Sequence, residues 1–136
     1  MIELLVVIAI IAILAGLTLS TLGYVNRKGA ESRARAEVAA LSTAIDSFFA
    51  DYAAYPASNN LFRELTGHSS SPINTNRKVY FEPPANITTN MTNGPFIDPW
   101  GTAYNYNPTN PANNRGFFDL WTTAGGKTNQ ADWIRN

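Results

Sequence analysis

The sequence predicts an α+β fold, in which one long N-terminal helix, apolar through its first half, packs on a small antiparallel sheet. Three observations carry that reading. The chain opens on an apolar run with a single early charge. The stretch that follows, up to residue 55, has no proline and repeats its apolar residues at helical spacing. Beyond it, the composition turns to asparagine, threonine and short aromatic segments, and all 8 prolines and all 3 tryptophans lie from Pro56 onward.

Glu3 stands alone at the head of the first segment, and no further charge appears before Arg27. Between them, Leu4, Leu5, Val6, Val7, Ile8, Ile10, Ile11, Ile13 and Leu14 form the densest apolar part. At ~1.5 Å per residue, Leu4 to Val25 reaches about 33 Å as a helix, enough for a bilayer core. A cleaved secretory peptide would carry a basic head, a shorter apolar stretch and a small-residue cleavage site. None of these fits here. An acid inside a membrane segment is costly unless paired, so Glu3 is a functional candidate. Arg27 and Lys28 would hold the following domain on the cytoplasmic side by the positive-inside rule, whereas its charge-poor composition points the other way. Tyr24 suits an interfacial anchor.

Gly16, Thr18, Ser20, Thr21 and Gly23 place poor helix formers midway along this helix. They fit either close helix–helix packing through small residues or a stretch, residues 14 to 23, that melts on leaving the membrane. From residue 26 the helix becomes amphipathic. Val38, Leu41, Ile45, Phe48 and Tyr52 form one stripe, with Arg33, Glu37, Asp46 and Asp51 largely off it. Pro56 is expected to end the helix.

Leu61–Leu65 reads as a short helix closed by Gly67, residues 69–72 and 74–76 as loop, and Val79–Phe81 as a short strand cut off by Pro83 and Pro84. Phe96–Ile97, the turn Asp98–Gly101 and Thr102–Tyr106 read as strand, turn, strand, with Pro99 and Gly101 placed as a type I turn prefers. Phe117–Trp121 is the third expected strand, followed by a glycine loop at Gly125 and Gly126. The expected domains are therefore a transmembrane or filament-core helix over 1–25 and a globular domain over 26–136. The latter divides into the amphipathic half-helix 26–55, a loop region 56–95, and the sheet with its C-terminal loop 96–136.

The segment Ile2–Ala15 resembles the N-terminus of type IV pilins and type II secretion pseudopilins. Asp98-Pro99-Trp100-Gly101, then Tyr104, Asp119-Leu120-Trp121-Thr122 and Asp132–Asn136, are similar to the C-terminal signature of major type II secretion pseudopilins. Residues 67–93 match least. The resemblance implies a prepilin peptidase that cuts after a glycine, an N-methylated first residue, and polymerisation into a helical filament. It also implies that Glu3 pairs with the free amine of a neighbouring subunit. Such a pair would offset the desolvation of both charges and set the axial register, as one buried polar group does in coiled coils. The leader and cleavage glycine do not stand ahead of Met1, which is either an internal methionine of a longer precursor or simply the first residue of this segment.

Within the same resemblance, the loop after the last strand holds one calcium ion through carbonyls and acidic side chains. Here that loop has a glycine where an acid is usual, with Lys127 beside it, and only Asp132 matches a ligand position. Calcium prefers six to eight oxygens, several from carboxylates, so the expected Ca2+ site is weak. Hydrogen bonds from Asn129 and Asp132 are the alternative means of fixing the loop. Asn86-Ile87-Thr88 and Asn90-Met91-Thr92 fit the N-glycosylation pattern, which also arises by chance in Asn/Thr-rich loops.

The chemistry of catalysis is missing. Cysteine is absent, which excludes disulfides and thiol-based metal sites. His68 lies in a polar loop context, and no acid–base pair, phosphate-binding glycine loop or metal spacing is present. With 10 basic against 10 acidic residues, no broad nucleic-acid footprint exists. The expectation is a non-enzymatic subunit that is inserted once in the inner membrane and then polymerised with its own copies by the secretion or pilus assembly machinery. Its filament would be a periplasmic pseudopilus for protein export. The alternatives are the major pilin of an extracellular filament (adhesion, motility or biofilm) and a membrane-anchored binding module that never polymerises.

Overall fold

The computed structural model of the chain describes residues 2–68, 76–88, 90, 94–109 and 117–136, without the side chains of 18–22. The loop expected at 69–72 and most of that at 74–76 lie outside these residues. The chain divides into two compact units, Met1–Ala30 and Glu31–Asn136.

The described residues of the first unit are all helical. Helix α1 spans Ile2–Tyr52, 51 residues, as the proline-free pattern requires. Its apolar side chains in the first unit lie open: Ile2 is 76% exposed, Leu4 71% and Leu14 57%.

In the second unit, α1 buries the stripe that its spacing announces. Val38, Leu41, Ile45 and Phe48 are at most 2% exposed, Tyr52 packs at the margin of the same core, and Ala34, outside the expected stripe, is buried with them. The helix ends earlier than Pro56 demands. Ala53 turns into the left-handed region with φ 53, and its N–H donates to the Phe49 carbonyl at 2.7 Å. Pro56 is instead a buried loop residue whose carbonyl accepts the Tyr106 hydroxyl at 3.1 Å.

Helix α2, Leu61–Thr66, is closed by Gly67 in the left-handed conformation with φ 71. Glycine is required there twice over, because a Cβ would also sit 2.6 Å from the Arg77 carbonyl oxygen. Val79–Phe81 is not a strand. Tyr80 and Phe81 both donate their N–H groups to the Leu65 carbonyl, at 2.8 and 3.0 Å, so this segment closes the end of α2. Pro83 and Pro84 carry no N–H with which to extend a ladder.

The sheet has three antiparallel strands in the order β1-β2-β3: β1 is Asn105–Asn107, β2 is Asp119–Thr122 and β3 is Ile134–Arg135. Tyr106 faces Leu120 across the first pair, and Thr122 faces Ile134 across the second. The expected hairpin is present in a reduced form. Ile97 and Ala103 make a single bridge, and Tyr104 N–H donates to the Phe96 carbonyl at 2.9 Å. The third expected strand begins two residues later, at Asp119, and β3 lies in a segment where no strand was expected. The last residue prolongs the sheet by side-chain bonds: the Asn136 amide oxygen accepts from Leu120 N–H at 3.0 Å, and its amide nitrogen donates to the Phe118 carbonyl at 3.1 Å. Phe118, Leu120 and Ile134 join Leu65, Ile87 and Phe96 in one core with the helix stripe.

Candidate assembly surface and C-terminal loop

Glu3 lies in the first turn of α1, where the partial positive charge of a helix N-terminus favours a carboxylate, and it is exposed. The apolar residues that follow, from Leu4 to Leu17, are exposed as well. A contiguous apolar surface of this size on one unit marks a partner or a membrane. Among the described residues no helix is long and apolar enough to cross a membrane. The side chains of 18–22, midway along the expected span, are outside that description. Gly16 and Gly23 are helical, and a Cβ at either would meet nothing within 4 Å. Arg27 and Lys28 are exposed on the same helix.

In the second unit, the turn is organised by Asp98, which is 2% exposed. One of its carboxylate oxygens accepts from Trp100 N–H at 3.0 Å and from Thr102 N–H at 2.7 Å. The other accepts from the Thr122 hydroxyl of β2. The turn is thereby fastened to the central strand. Nearby, the Tyr104 hydroxyl donates to Glu37 at 2.7 Å, linking the strand side to α1. Burial raises the Glu37 pKa, against the opposing hydrogen bond from Tyr104 and the charge of Arg33. Burial, together with Glu37, pushes the Tyr104 hydroxyl far above its usual range. Glu37 was expected among charges largely off the stripe. The available signal was its position one residue before Val38, at the border of the apolar face.

The C-terminal loop runs from Thr123 to Trp133. Ala124, Gly125 and Gly126 are all left-handed, with φ 50, 83 and 84, and Lys127 N–H closes back on the Thr123 carbonyl at 2.9 Å. Asn129 fixes the next turn, its side-chain oxygen accepting from Ala131 N–H at 3.1 Å at the head of a short 3-10 helix, Gln130–Asp132. Asp132 is exposed on that helix. Among the described residues, no three His, Cys, Asp or Glu side chains come together. One exposed carboxylate with a lysine nearby does not fit the several carboxylates that calcium selects.

Asn86 and Asn90 are exposed. The Thr88 of the first glycosylation pattern is buried, 7% exposed, and its hydroxyl donates to the Asn90 carbonyl at 3.0 Å. Thr92 of the second pattern lies outside the described residues. His68 is exposed, with its Nδ1 3.1 Å from the Thr66 hydroxyl.

The family described as type II secretion system (T2SS), protein G, matches residues 22–133. No curated protein matches the chain.

Proposed function

The chain belongs to the type II secretion system protein G family, the major pseudopilins, and from that premise we propose that it is the structural subunit of a helical pseudopilus acting in protein export. The family is one of structural pseudopilins and not a known enzyme family. In this reading the apolar half of α1 anchors the newly made chain in the inner membrane. Prepilin peptidase and the secretion machinery then process it and draw it into the filament, where the same surface packs against other copies. The observation that supports this most directly is the exposed apolar face from Leu4 to Leu17, carried by a unit whose described residues all belong to α1.

Glu3 would act in assembly by pairing with the amine of a neighbouring subunit. Breaking a buried pair by removing one partner costs about 3–5 kcal/mol, a penalty repeated at every subunit added. Glu3→Ala is therefore expected to abolish filaments while leaving the protein in the membrane fraction. The check is to overproduce each form, shear the cells and compare pelleted filaments with membrane-bound subunit. Normal filament yield from the variant would sink this role. Long sheared filaments that persist at native expression would instead favour an extracellular pilus.

A further inference from the structure

Four backbone carbonyls of the loop between β2 and β3 already accept hydrogen bonds from within the loop and its flanks. Thr123 accepts from Lys127 N–H at 2.9 Å, and Asn129 accepts from Asp132 N–H at 3.1 Å. The Lys127 carbonyl accepts from the Trp133 indole at 2.8 Å. The Gln130 carbonyl takes Trp133 N–H at 3.2 Å and the Arg135 guanidinium at 2.8 Å. Two cationic side chains thus stand at this loop. The Lys127 ammonium reaches the Glu31 carboxylate of α1 at 3.8 Å, with the two side chains only 25% and 19% exposed. Partial shielding of this kind makes an ion pair stronger than one in open solvent.

We propose that this loop is closed without metal, the ammonium of Lys127 at Glu31 and the guanidinium of Arg135 at Gln130 serving as tethered cations in place of a bound ion. The left-handed run Ala124–Gly126 turns the backbone so that Lys127 can point back toward α1. Arg135 also covers the Trp133 ring at 5.7 Å, and that ring lies parallel to Trp121. The cations and the aromatic pair therefore form one fastening between the loop and β2. The inference rests on the family reading only for the comparison with a metal-bound loop, and its test does not require the chain to polymerise.

The experiment is thermal unfolding of the full chain in detergent, followed by tryptophan fluorescence, in calcium chloride or in EDTA. The expected midpoints agree within about 1 °C, because a ligand that does not bind the folded state cannot shift it. A calcium-dependent rise of more than about 3 °C would overturn the proposal. Lys127→Met is expected to lower the midpoint by roughly 1–4 °C, the range for a partly shielded pair in a chain of this size. In a Glu31→Gln background the same change should cost clearly less. Equal losses in the two backgrounds would show that Lys127 acts by something other than its contact with Glu31, and would overturn the tether.

Discussion

Asp98 gathers three donors from two separate parts of the chain, so its loss is felt at the turn and at β2 together. Each buried donor left without an acceptor costs about 1–3 kcal/mol. Asp98→Ala is therefore expected to lower unfolding stability by roughly 3 kcal/mol or more, measured by urea denaturation in detergent, whereas Thr102→Ala, which keeps its backbone N–H, should cost much less. Glu37 gives the opposite sign. Its folded-state pKa lies above the ordinary 4.5, so the folded chain holds the proton more tightly than the unfolded chain does. Its contribution to stability is full below pH 4.5 and is lost as pH rises through the raised value. Glu37→Gln keeps an acceptor for Tyr104 and removes this loss. The variant should gain on the native chain in unfolding free energy between pH 4.5 and pH 7, and an unchanged difference over that window would refute the assignment. Asp98 was singled out in the sequence as part of a turn signature, but its bond to Thr122 joins residues far apart in the chain and no local pattern carries it.

At the scale of elements, α1 was the most legible because burial of one face imposes a 3.6-residue period that survives in the sequence from Val38 to Tyr52. Its end was less legible. A proline sets a limit beyond which a helix cannot run, but Ala53 adopts a left-handed conformation before that limit is reached. The sheet was read only in outline. Strands of three, four and two residues are too short to display an alternation, and β3 is defined by its partner β2 more than by its own composition. Val79–Phe81 shows the converse error: β-branched and aromatic residues favour a strand, but here the N–H groups of Tyr80 and Phe81 serve the end of α2. Gly23 offers a test of the melting hypothesis for α1. In a helix, alanine is better than glycine by about 0.8–1.0 kcal/mol, and the position has room for a Cβ. If filament entry requires local unwinding, Gly23→Ala should insert normally but give fewer filaments in a shearing assay. Undiminished yield would leave helix packing as the better account.

For the whole molecule, the sequence carried the family through two separate signatures, the acid-headed apolar helix and the aromatic C-terminal motifs. The family match covers residues 22–133, a range that takes in the second of these and not the first. The role of Glu3 stays a proposal because a filament core is made of several chains, and one chain holds only one side of each contact. The same chain nevertheless exposes two surfaces by which proteins self-associate, and it treats them differently. The apolar helix is left open, while the outer strands are short: β1 has three residues and β3 two, and the Asn136 side chain occupies the Leu120 N–H of β2 and the Phe118 carbonyl just before it. Long bare edges are what template cross-β stacking, and this sheet offers none among the described residues. Overproduced subunit that misses its assembly partners should therefore collect as helical, detergent-dispersible clusters that do not bind thioflavin. Thioflavin-positive fibres would show that the edges are not protective. If the proposed function holds, growth through helices with the sheet closed to addition would let the subunit be sticky enough to polymerise without becoming amyloid.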